Sequence, residues 1–126
     1  MPGGDGFNSS QRAAIDKAIR DAETTCRFEF SVYVGRSTGE PRAYATRLHA
    51  TLVKPDCSVL ILVDPMGHAL EVVTGSEVRR NLTDVEVDLA VAQMQADLAE
   101  GRLVDGLVRG INQLASYARK PNSLHG

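Results

Sequence analysis

An α/β fold, a three-layer α/β/α sandwich around a small mixed β-sheet with element order α-β-α-β-β-α-α, is the class this sequence predicts. Three observations carry it. In "RFEFSVYVG" Phe28, Phe30, Val32 and Val34 alternate with Glu29, Ser31 and Tyr33, the period of a strand. Residues 59–63, "VLILV", are apolar without a break, as in a strand covered on both faces. Around these runs, apolar residues recur at helical spacing. A strand, a crossover helix and a second strand normally form a right-handed parallel unit, which puts helices on the sheet's faces.

Each element follows in chain order. Residues 1–8 are Gly-rich and read as a flexible leader, residues 9–118 as a single domain, and residues 119–126 as a polar tail. Ser9 or Ser10 caps a first helix, whose stripe is Ile15, Ala18, Ile19 and Ala22. Gly35 ends the first strand, and Pro41 suits the first turn of a second helix with Tyr44, Ala45, Leu48 and Leu52 on its apolar side. The second strand then runs into Asp64-Pro65-Met66-Gly67-His68. Pro65 fits the second position of a type I turn, and Gly67 is expected to supply a left-handed residue. "HALEVVTG" returns antiparallel. Thr83-Asp84-Val85-Glu86 is a capping box opening a helix to about Glu100, with Leu89, Ala90, Met94 and Leu98 inward and Gly101 as its stop. A last helix packs through Leu103, Leu107, Val108, Ile111, Leu114 and Ala118.

Composition narrows the function classes. The net charge is -2, without the basic surplus that nucleic-acid binding needs. There is no tryptophan, and the three tyrosines and three phenylalanines are too few for both a core and a base-stacking platform. No nucleic-acid partner is therefore expected. The longest apolar run is far short of a membrane span and no signal peptide opens the chain, so membrane insertion is not expected and a cytoplasmic location is. Cys26 and Cys57 have no metal-ligand spacing and read as reduced thiols. A disulfide between them at the shared sheet edge is the alternative.

Candidate chemistry is sparse. Residues 35–40, "GRSTGE", combine glycines, a cation and hydroxyls like a phosphate cradle but lack P-loop spacing, and a surface loop is the plainer reading. Asp64 can be a nucleophile or a metal ligand at a strand end; its plainer role is to accept hydrogen bonds from the turn amides that follow. His68 is expected beside the turn in solvent, and His49 at a helix carboxyl end, where its cation meets the dipole.

The order of "FEFSVYVG", "YATRLHATL", "DCSVLILV", "LEVVTGSEVRRNLTD" and "GRLVDGLVRGINQLA" resembles the TPM domain family, most closely its short actinobacterial members. That resemblance implies divalent-metal binding, chiefly Ca2+, and in some members acid phosphatase activity. By position it points to Asp56 and Asp84 as metal ligands and to Gly75 as the glycine closing the third strand. Where the family has Gly-Asp-Tyr, this chain has Gly101-Arg102-Leu103, with Asp105 three positions on. Exchanging an acid for arginine removes a ligand and adds repulsion. The resulting expectation is a non-enzymatic binding or regulatory module that engages a protein partner, with or without a divalent cation. A divalent-metal-dependent acid phosphatase is the alternative.

Overall fold

The computed structural model describes residues 6–119. It is an α/β fold with element order α-β-α-β-β-α-α, as the sequence predicts. The elements are α1 (Ser9–Cys26), β1 (Glu29–Val34), α2 (Pro41–Ala50), β2 (Ser58–Asp64), β3 (Ala69–Thr74), α3 (Asp84–Ala99) and α4 (Leu103–Ala118), with 3-10 turns at Pro55–Cys57 and Val78–Arg80. The sheet order is β1-β2-β3. β1 and β2 are parallel, with Phe30 opposite Val59 and Val34 opposite Val63. β2 and β3 are antiparallel, with Ile61 opposite Val72.

Every residue of β2 is buried, which explains its unbroken apolar run. Val59, Ile61 and Val63 face the larger core under α1, α3 and α4, while Leu60 and Leu62 face a smaller one with Ala45 of α2. Ile61, Leu62, Leu107, Ile111 and Leu114 are fully buried. Each contributes about 1.5–3 kcal/mol relative to exposure. α4 lies between α1 and α3, touching both. It comes close to α3 because Gly110 and Gly106 carry no side chain. A Cβ on Gly110 would lie 2.2 Å from Met94 Sδ, and one on Gly106 2.8 Å from Asp97 Cβ.

Local chemistry corrects four expectations. The cap of α1 is Asn8, not Ser9 or Ser10. Its side chain accepts from Gln11 N (2.7 Å) while Gln11 Oε1 accepts from Asn8 N (2.9 Å), a reciprocal box that the serines have no partner to make. Within the expected leader, Phe7 packs against the larger core. Residues 1–5 and 120–126, the rest of that leader and nearly all of the tail, lie outside the described residues.

In the β2–β3 hairpin the left-handed residue is His68 (φ 54), not Gly67. Gly67 is needed for closeness instead, since a Cβ there would stand 2.8 Å from Asp64 Oδ2. Leu89 does not turn inward but is 52% exposed, and Asp97 takes a buried place on α3. The other boundaries agree closely. Pro41 opens α2 behind Glu40, Thr83 and Glu86 form the predicted box, and Gly101 (φ 77) follows α3. Among the described residues no helix is long and apolar enough to cross a membrane.

Candidate functional site

The carboxyl ends of β1 and β2 meet where loop 35–40 faces the hairpin turn. Asp64, the last residue of β2, is only 6% exposed and joins the two. Its Oδ2 accepts from Ser37 N and from Ser37 Oγ, both at 3.0 Å, and its Oδ1 accepts from Gly67 N at 2.9 Å. The Ser37 and Gly67 amides hold its carboxyl below the usual carboxylate range. The Ser37 hydroxyl and the nearby Arg36 charge act the same way, and burial opposes them. The resemblance of "GRSTGE" to an anion cradle thus has a structural basis, but the anion at Ser37 is the protein's own Asp64. The predicted turn role of Asp64 is present, and Ser37 adds a contact 27 residues away in sequence. His68 is exposed beside the turn.

Beside this staple lies a cleft of ≈ 430 Å³ between the hairpin turn and the α3–α4 turn, lined by Asp64, Pro65, His68, Ala69, Leu70, Gln95, Leu98, Ala99, Gly101 and Leu103. Six of these ten are aliphatic or proline, and Leu70 belongs to the core. At the hairpin tip Met66 is 83% exposed.

Sequence reasoning missed the polar cluster on the far wall of that turn. Asp97 Oδ1 accepts from Arg102 Nη2 (3.0 Å), Arg109 Nη1 reaches both oxygens (3.3 Å each), and Gln93 Nε2 donates to Oδ2. Asp97 is buried (side chain 4% exposed), whereas Arg102 and Arg109 keep 48% and 61% of theirs in water. That asymmetry sets the energetics. Removing Asp97 lets both guanidinium groups return to solvent, at about 1–3 kcal/mol for the lost charge-assisted bonds. Removing both arginines strands a buried carboxylate, a costlier change. Asp97 and Glu100 also raise the pKa of Arg102 above its ordinary value. Arg102, which stands where the TPM resemblance expects an acid, therefore braces the α3–α4 turn. The only sequence signal was its spacing, five residues beyond Asp97 across Gly101.

Asp56 and Asp84 lie away from this end. Asp56 is exposed in the 3-10 turn before β2, and its backbone carbonyl accepts from Glu77 N (2.8 Å). Gly75 permits that approach, because a Cβ there would sit 2.1 Å from Pro55 O and 2.4 Å from Asp56 O. Asp84 is exposed in the first turn of α3, where a carboxylate favours the helix dipole. Among the described residues no three or more His, Cys, Asp or Glu side chains gather as a metal-holding group. Two carboxylates fall well short of the six to eight oxygens that calcium takes. Asp105 is exposed in the first turn of α4.

His49 lies in the last turn of α2, as expected, but its side chain is buried and its Nε2 donates to Ser58 O (3.0 Å). Cys26 and Cys57 are free thiols, without the alternative disulfide, and burial pushes the Cys26 pKa up, away from the reactive thiolate.

A family model described as a domain of unknown function, DUF5130, matches residues 3–115. No model of the TPM family matches, so the expected TPM membership is corrected. Its carriers were segment order and spacing, which many sequences of one fold share. Two Mycobacterium tuberculosis proteins, from strains CDC 1551 and H37Rv and each titled an uncharacterised protein, are 32% identical to this chain over 110 residues, or 87% of it. The chain spans 66% of the length of those relatives.

Two solved structures share the fold. The BA42 protein of the psychrophilic bacterium Bizionia argentinensis has a TM-score of 0.81 at 22% identity, over 90% of this chain and 81% of that one. The N-terminal domain of the cg2496 protein of Corynebacterium glutamicum has a TM-score of 0.75 at 15% identity, over 94% and 78%.

Proposed function

The chain belongs to the DUF5130 family, and on that premise, which brings no activity with it, we propose that it is a non-enzymatic binding module that engages a protein partner. The observation carrying this reading is the aliphatic cleft between the hairpin turn and the α3–α4 turn, with Met66 standing exposed at its margin. A concave, largely apolar site takes up an apolar side chain of a partner, and burying ~100 Å² of apolar surface there contributes about 2.5 kcal/mol. Methionine adapts its shape to what it meets and suits such a rim.

The two buried carboxylates nearby already have partners. Asp64 holds Ser37 and Gly67, and Asp97 is bonded by Arg102 and Arg109. A metal-dependent hydrolase at this cleft would need carboxylates free to hold its metal. The acid phosphatase alternative rests on Asp56 and Asp84 alone, which favours the binding reading.

A photo-crosslinking amino acid placed at Met66 in the native cell tests this proposal. We expect one discrete protein adduct, absent when the probe replaces Lys17 on α1 and lost when Leu103→Glu puts a charge in the cleft. An adduct that survives Leu103→Glu, or the same adduct from both positions, overturns the reading.

A further inference from the structure

A second surface with different chemistry lies on the opposite edge of the sheet, and its argument does not depend on the cleft. Among the described residues the sheet has three strands and therefore two edges, β1 and β3, and proteins guard such edges against stray pairing. The β3 edge is guarded by cations. Gly75 N donates to Ser58 O, which sets the antiparallel alternation so that Val72 and Thr74 turn their backbone groups outward. The outward carbonyl of Val72 accepts from Arg42 Nη1 (2.7 Å), and that of Thr74 accepts from Arg79 Nη1.

The β1 edge is treated differently. Gly35 N donates to Val63 O, so in this parallel pair Ser31 and Tyr33 point their backbone groups at β2 while Phe30, Val32 and Val34 point theirs away. Phe30 N donates to Glu23 Oε2 (3.0 Å), which closes the start of the edge. The outward N–H and C=O groups of Val32 and Val34 have no hydrogen-bond partner among the described residues. Beside them Phe7, the Val32 and Val34 side chains and Ile15 and Ile19 of α1 line a groove of ≈ 150 Å³, with Arg12 and Asp16 both at its wall.

We propose that the Val32–Val34 edge takes an extended peptide segment of a partner as a fourth strand. The unpaired groups dictate this occupant. Two donors and two acceptors in a line at strand spacing are satisfied together by another strand's backbone and by no other regular element. Alternate side chains of the added strand fall on the groove side, where the volume takes one branched aliphatic residue. Arg12 and Asp16 put one charge of each sign at the groove wall, so the backbone groups and the apolar floor, not net charge, select the segment. The partner segment is thus extended and aliphatic at alternate positions.

A random heptapeptide library selected on the intact chain tests this, followed by amide hydrogen exchange and 15N shifts with the enriched peptide. We expect the peptide to protect the Val32 and Val34 amides. Val32→Pro deletes an outward donor without removing a ladder bond to β2, and Val32→Ala, which keeps that donor, controls for the lost valine side chain; we expect the proline variant to bind about tenfold more weakly than the alanine one. Failure to enrich any peptide, or an enriched peptide that leaves the β1 amides unprotected or binds the proline and alanine variants alike, overturns the inference. A peptide that shifts Leu98 and Leu103 instead also overturns it, while leaving the cleft reading standing.

Discussion

Asp64 shows how one side chain turns a cradle-like sequence into a fastening. Its folded pKa is depressed by the Ser37 and Gly67 amides. A carboxylate of this kind contributes stability that is fully present above its unfolded pKa, about 3.9, and is lost as the pH falls through the lower folded value. Asp64→Asn keeps the shape but not the charge. The stability difference between the protein and this variant, measured by urea denaturation from pH 7 downward, is therefore expected to hold constant at neutral pH and shrink below about pH 4. A difference independent of pH would show that Asp64 acts by shape alone. Sequence reasoning found half of this residue's role. The Gly67 contact is local and legible, whereas Ser37 reaches Asp64 only because β1 and β2 end side by side.

At the level of elements, close approach decides what substitutions cost. Gly110 lets α4 meet Met94 of α3, and Gly75 lets the end of β3 meet the backbone of Pro55 and Asp56. Gly110→Ala is expected to destabilise by about 1–3 kcal/mol, because methionine yields part of the space. Gly75→Ala presses on carbonyl groups that cannot rotate aside, so it costs more than Gly110→Ala despite adding the same methyl group. Thermal midpoints of the two variants check the order, at roughly 4–8 °C per kcal/mol for a domain near this size. For Gly75, to which the TPM resemblance also pointed, the structure supplies a steric reason. α3 shows the limit of periodicity. Apolar residues lie all around this helix, so spacing placed Leu89 inward, yet α4 approaches along the stripe of Ala90, Met94 and Asp97.

For the whole molecule, the question of calcium has a direct measurement. Asp56 and Asp84 are acids without a third ligand beside them among the described residues. Millimolar calcium, magnesium or manganese is therefore expected to leave the thermal midpoint unchanged, since only an ion binding the folded state in preference to the unfolded one raises it. A rise abolished by Asp84→Asn would restore the metal reading.

The sequence by itself determined the layers, the strand directions and most helix ends, because these follow from local periodicity, caps and the handedness of a crossover. Only the tertiary structure decided what the polar residues do. Asp64 meets Ser37, Asp97 meets Arg102 and Arg109, His49 meets Ser58, and one sheet edge carries arginines while the other, among the described residues, stays open between Val32 and Val34. Each of these depends on which side chains are brought together across the fold, and residue spacing along a chain does not carry that distance.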